Sequence, residues 1–439
     1  MTARVLGLAF VVMLAPSLVR ADDWPQWLGP QRDGVWREDG ILAKFPDGGP
    51  KVLWRAKVAG GYAGPAVADG RVYVLDFLTE GDTRKLNNPN NRAKVNGTER
   101  VLCLDAKTGA LLWKHEYACT YHISYPGGPR CTPTVAGGKV YTLGAMGQLC
   151  CLDAAKGTLL WSKDFVKDYG AEVAQWGYAS HPLVDGQRLF CVVGGKGSVA
   201  VAFDKDSGRE LWKALDAKQP GYAPPTLIDA GGTRQLLIWH EEAINSLDPA
   251  TGKLHWSVPL APAYGMSIMA PRHHGDYLFA GAIGFHAVLL KLAADKPAAT
   301  EVWRGKKGHA IYPVNSTPII EDGILYGVDQ PGPLMAVKLA TGERLWETFE
   351  PTTGNERQNS GTAFLVKHGG RFFLFSETGA LVLAKLSPKG YEEISRAQIL
   401  EPTQSAFGRN VVWSHPAFAN RCMFARNDRE IVCVSLAAE

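Results

Sequence analysis

No stretch of the chain carries a helical period over three turns, so helical and α/β folds are excluded at the outset. HExxH and CxxC are absent, and no glycine-rich loop leads from a strand into a helix. The usual zinc, thiol-redox and nucleotide signatures are therefore missing. An excess of one charge is missing too: 47 Lys and Arg stand against 43 Asp and Glu, a net +4. Removing Arg4 and Arg20 with a leader would lower this by two, to +2. Phosphate binding wants a concentrated basic face, so no nucleic-acid partner is expected. Beyond the first twenty residues no apolar run is long enough to cross a membrane.

The one long apolar run, VLGLAFVVML, follows Arg4 and precedes Val19-Arg20-Ala21, an acceptable small-residue cleavage site. Residues 1–21 are expected to be a signal peptide cut after Ala21, leaving a periplasmic or secreted protein. Its run is too short for a membrane span.

What the chain has is repetition. An apolar strand, Asp-x-x-Thr-Gly and a Trp recur as LCLDAKTGALLW (102–113), CCLDAAKGTLLW (150–161), VAFDKDSGRELW (201–212), NSLDPATGKLHW (245–256) and MAVKLATGERLW (335–346). The series Trp54, Trp113, Trp161, Trp212, Trp256, Trp303 and Trp346 advances by 59, 48, 51, 44, 47 and 43 residues, and an eighth step reaches Ile394. A period of this size is the mark of a repeat architecture. Each unit reads as four short strands, as in SHPLVDG, RLFCVVGG, SVAVAFD and RELWKAL. The expected fold is all-β: an eight-bladed β-propeller of four-stranded antiparallel blades, one domain over 51–439 behind an extension at 22–50. Innermost strands are placed near Ala63, Cys131, Ser180, Ala223, Gly265, Asn315, Gly361 and Val412. The last unit has three strands, so residues 51–58 are expected to add its fourth and close the ring, which removes unpaired edges.

In Asp105-x-x-Thr108-Gly109 the Asp suits Asx-type bonding and the Gly a positive φ. The seven repeat Trp residues are read as structural, their rings docked between blades. Cys103, Cys151 and Cys433 fall in a small-residue slot shared with Ala202, Ser246 and Ala336, and are read as buried apolar groups. Cys119 and Cys131 flank a loop and are the candidate disulfide.

The units resemble the PQQ-type repeat of eight-bladed propellers, found in quinoprotein alcohol dehydrogenases and in BamB-like outer-membrane assembly lipoproteins. The opening DDWPQWLGPQRDGV with GPKVLW and YAGPAVADGRVYVLD is similar to exported propellers of planctomycete-type bacteria. The resemblance implies the fold and leaves the activity open. In the dehydrogenases one rim holds the quinone, a calcium ion and a catalytic Asp. Here the loops entering that rim carry Tyr62, Tyr125, Tyr178, Tyr222, Tyr264 and Tyr312. Arg130, Trp176, His181, Asn315, Asn359, Trp413 and His415 join them, with Arg357, Arg409 and Asn410. With Tyr178, the first seven of these are the candidate ligand-binding residues.

Two functions follow. The first is an exported binding or scaffolding module that takes a protein, peptide or glycan at its rim. The alternative is a PQQ- and calcium-dependent oxidoreductase. Trp176 or Trp413 would stack the quinone, and Glu172, Asn315, Asn359, Asp329 and Glu377 would be calcium candidates. None of these falls in the dehydrogenases' calcium or catalytic motifs, so no catalytic residue is assigned. The vicinal Cys150–Cys151 lies within a strand, where neighbouring side chains point to opposite faces. His273-His274 and His240-Glu241-Glu242 read as polar surface. The polar, Asn-rich insertion at 78–100 reads as a surface loop, with a lid or docking arm as its other reading.

Overall fold

The computed structural model describes residues 22–354 and 356–438. The expected signal peptide lies outside the described residues. Eight four-stranded antiparallel sheets, blades 1 to 8, follow one another around a ring, their innermost strands beginning at Ala66, Thr134, Leu183, Thr226, Arg272, Ile319, Ala363 and Ala417. Val52–Lys57 pairs antiparallel with Glu430–Ser435 and completes the eighth sheet, with Trp54 opposite Cys433. The innermost strands start later than the sequence suggested, at Ala66 rather than Ala63 and at Arg272 rather than Gly265. The residues just before them are irregular crossovers, which is where the channel wall is built.

The repeat motif links each blade to the next. The indole N–H groups of Trp54, Trp113, Trp161 and Trp212 donate to the carbonyls of Ala106, Ala154, Lys205 and Pro249, at 3.0–3.1 Å. Each acceptor follows the turn Asp of the neighbouring blade. Trp303 and Trp346 reach Leu339 and Ser387 in the same way. Trp256 cannot, because the next turn is degenerate, and donates instead to Gln235 Oε1 of its own blade at 2.9 Å. Opposite the Trp stands the small residue: Cys103 faces Trp113, Cys151 faces Trp161 and Ala336 faces Trp346, while Trp303 is the exception and faces Leu289. A large ring thus finds room beside a short cross-strand partner. The turn glycine is required twice over: Gly157 has φ +72°, and a Cβ there would lie 2.4 Å from Trp113.

Blade 7 departs from the pattern. Its register places Ser395, not Ile394, at the Trp position. Ser395 Oγ accepts the Phe45 N–H at 3.0 Å, and Phe45 of the N-terminal extension is buried there against Phe373.

All eight cysteines are free, which corrects the Cys119–Cys131 pairing. Cys119 packs beside Phe77, Tyr121 and Ile123, while Cys131 belongs to the cluster of Tyr141 and Leu189 and points its thiol at the Tyr178 and Ser180 carbonyls. Cys150 and Cys151 likewise sit in different clusters, on opposite faces of one strand.

The insertion is not a simple loop. Its end extends strand Ala93–Asp105, which pairs along Leu111–Ile123. Its tip is pinned: Asn87 Nδ2 donates to Ser405 O at 2.8 Å, Ser124 Oγ to Asn91 O at 2.8 Å and Gln175 Nε2 to Pro89 O at 3.3 Å. The Pro89 and Asn91 carbonyls, which a mobile loop would give to water, are here taken by the crossover residues Gln175 and Ser124.

Candidate functional site

Inner strands run from the crossover rim to the opposite end of the channel. That opposite end is blocked. Residues 24–36 of the extension cross it and hydrogen-bond the inner strands as they go. Trp24 pairs with Val67 of blade 1, Pro25 O accepts Val135 N–H of blade 2, and Val35 bridges Lys367 of blade 7. Arg32 donates to Pro182 O of blade 3 at 3.2 Å, and Arg272 of blade 5 donates to Asp33 O at 2.8 Å. The segment turns sharply through Leu28 and Gly29, both at positive φ, where a Cβ on Gly29 would meet Trp24 at 2.9 Å.

The floor leaves a blind cavity of about 650 Å³ open at the crossover rim. That volume is within the range of small-molecule sites, about 300–1,000 Å³. Each of the eight crossovers contributes to its wall. Arg130, Trp176, His181, Asn315, Asn359, Trp413 and His415 all line it, brought from blades far apart in sequence. Tyr62, Tyr125, Tyr222 and Tyr264 line it as well. Tyr178 and Tyr312 do not. Both are buried, and their hydroxyls donate to Val193 O and Lys306 O at 2.7 Å, so they fasten crossovers.

Trp27 is the wall residue that sequence reasoning missed. It is 3% exposed, stacked on His181 at 4.8 Å and edge-on to His415 at 5.7 Å. Arg32 lies over the same indole at 5.8 Å. The available signal was the aromatic, Gly- and Pro-rich stretch WPQWLGP standing outside any repeat.

The histidines are neutral. His181 Nδ1 accepts the Thr132 N–H at 2.9 Å, which leaves the proton on Nε2. Burial, with Arg32 and His415 nearby, holds the His181 imidazolium well below its ordinary range. Burial pushes His415 down to about 3. Arg130 lies over the Tyr62 ring at 5.0 Å and donates to the carbonyls of Ser124, Tyr125 and Gly128, so much of its donor capacity braces the 124–128 crossover.

Carboxylates are missing from the described wall. Glu377 accepts from Arg409, Thr362 N–H and the Trp413 indole. Asp329 accepts Tyr312 N–H at 2.7 Å and pairs with Arg344 at 3.0 Å. Glu172 sits in a separate shallow surface depression. No group of three or more His, Cys, Asp or Glu is disposed to hold a metal ion among the described residues. Calcium needs several oxygen ligands, carboxylates foremost, and this wall does not fit it.

With eight blades, the linking turns and the blind channel described, comparison with known proteins places the chain. The family profile described as outer membrane protein assembly factor BamB matches residues 97–348 and 240–438. The chain belongs to that family. No curated protein matches it. Among solved structures, BamB from Moraxella catarrhalis is 15% identical at a TM-score of 0.56, covering 89% of this chain and 98% of that one. Quinohemoprotein alcohol dehydrogenase from Comamonas testosteroni is 14% identical at 0.58, covering 95% and 80%. A europium-containing methanol dehydrogenase is 14% identical at 0.56, covering 94% and 89%. At these identities the likeness establishes the fold that this BamB-family chain shares with both kinds of protein. No helix among the described residues is long and apolar enough to cross a membrane.

Proposed function

We propose that this BamB-family propeller is an exported binding or scaffolding module whose ligand face is the blind cavity at the crossover rim. One observation carries this reading. Seven polar and aromatic residues from five crossovers converge on one cavity, at positions where blade packing does not require them. Export rests on the N-terminal pattern of residues 1–21. A protein partner fits the family description of an assembly factor.

The oxidoreductase alternative has the dehydrogenase-like fold in its favour. Against it stands the wall chemistry: the nearby carboxylates are already bound to arginines and backbone N–H groups. A thermal melt with PQQ and calcium separates the two. The binding-module reading expects an unchanged melting temperature. A ligand at a hundredfold excess over its Kd stabilises by about 2.7 kcal/mol, which a melt resolves. An upward shift lost in Trp176→Ala or Trp413→Ala would move the protein to the oxidoreductases.

A further inference from the structure

The cavity wall has an uneven hydrogen-bonding inventory. Three of its residues carry a buried polar atom with no partner: Trp27 Nε1, Tyr125 Oη and Asn315 Nδ2. Trp27 and Tyr125 are 3% and 6% exposed, so bulk water is a poor substitute. An indole and an amide nitrogen only donate, and a phenol donates readily. Buried polar groups left unpaired are uncommon and call for an explanation. These three await acceptors.

Charge points the same way. The described wall holds Arg130 and Arg357 and no carboxylate. Arg32, behind Trp27, is bonded to Gln26 Oε1 and two carbonyls rather than to an acid. The adjacent Asp33 is turned to Arg37. Burial pushes Arg32 down to about 9, as for a cation lacking a counter-ion. Low-dielectric walls of one sign focus the field on an entering ion.

The remaining wall is aromatic and neutral-polar. Trp176 and Tyr222 meet edge to face at 5.8 Å, and Trp413 stands 6.1 Å from Tyr125. Asn90, Asn359, Ser316 and Ser360 add groups that both donate and accept. A flat aromatic acid would leave these unused, whereas a pyranose ring has hydroxyls for them and an apolar C–H face for an indole.

We infer that the cavity binds the acidic end of a carbohydrate, a uronate residue, with its carboxylate toward Trp27 and Asn315 and its ring among Trp176, Tyr222 and Trp413. His415 stands edge-on to Trp27 at 5.7 Å and lines the same cavity as Asn315. Because the N-terminal segment closes the floor, a chain end enters and the middle of a polymer does not. This inference rests on the cavity being the ligand face, as proposed above.

Calorimetric titration of the whole protein tests it, with glucuronate- and galacturonate-terminated disaccharides as probes. Their neutral hexose counterparts, benzoate and an acidic tripeptide complete the panel. The acidic disaccharides should bind at least about tenfold more tightly than the neutral ones, since hydrogen bonds to charged groups are the stronger kind. Tyr125→Phe removes an unpaired hydroxyl, so the melting temperature should hold or rise while affinity falls about tenfold. Trp27→Phe should weaken binding by a similar factor. Equal affinity for neutral and acidic sugars, or affinity unmoved by Tyr125→Phe, overturns the inference. If only benzoate or the peptide binds, the uronate assignment fails and the cavity remains the ligand face. If none of the panel binds, the uronate assignment fails, and the ligand face is left to the protein partner proposed above.

Discussion

The outer ring of turns and the channel mouth are built from the same blades and obey opposite rules. At the outer ring six of the seven repeat indoles have a periodic acceptor, and Trp54, Trp113, Trp161 and Trp212 repeat one bond at 3.0–3.1 Å. In the cavity behind the mouth the contacts are aperiodic, and Trp27 of the floor segment, Tyr125 and Asn315 keep polar atoms without partners. The difference separates what holds the ring from what the ring holds. A residue whose role repeats from blade to blade belongs to the fold. A residue that breaks the repeat yet shares a cavity with seven other crossovers is a candidate for use.

The sharpest way to break this comparison is to attack the ring at its seam. Trp54→Ala removes a buried indole and its bond to Ala106 from the strand that joins the two ends of the propeller. A loss of about 3–5 kcal/mol is expected in denaturant unfolding. A loss below 1 kcal/mol would mean that the seam carries little of the stability.

The next test concerns the mouth as part of the fold. His415 is pushed to about 3, below its ordinary 6.5, so the unfolded chain binds its proton first as pH falls. The stability contributed by keeping it neutral is whole above pH 6.5 and drains away as pH drops toward 3. The His181 imidazolium is held down in the same sense. Each group contributes a slope of about 1.4 kcal/mol per pH unit within that window. His415→Phe, which keeps a ring against Trp27 and Phe364, should flatten the unfolding free energy between pH 6 and 4 by about that slope. An unchanged slope would show that His415 takes up its proton without cost in the folded state.

The smallest expected effect sharpens the contrast. Trp176 is half-buried on the cavity wall, and its indole N–H donates to no neighbour among the described residues. Trp176→Ala should therefore cost less than about 1 kcal/mol, well under the repeat Trp. A cost equal to that of Trp54→Ala would erase the division between ring and mouth.

The division also explains what the sequence could reveal. Blade count, the small residue facing the Trp and the closing strand at 51–58 are all periodic or forced by ring closure, so they were legible. Most of the wall was legible too, because residues such as Trp176 and Trp413 violate the repeat at matching positions. Tyr178 and Tyr312 were misjudged since crossover aromatics either turn into the channel or fasten the loop, and spacing does not distinguish them. Trp27 and Phe45 were missed because their partners, His181 and Ser395, lie far along the chain. The anchoring of the insertion was not legible for the same reason: Asn87 finds Ser405 across 318 residues.

The path of the N-terminal segment has a consequence for the order of assembly. Residues 24–57 are made before the blades they join, and they pair with Lys367 of blade 7 and with Glu430–Ser435 of blade 8. Early blades have no floor and no seam until the last strands arrive. Such long-range pairings make folding slow and favour completion only when the whole chain is present. The last strands of the chain therefore act as the lock: until they arrive, the segment that will become the floor and the seam has nothing to pair with.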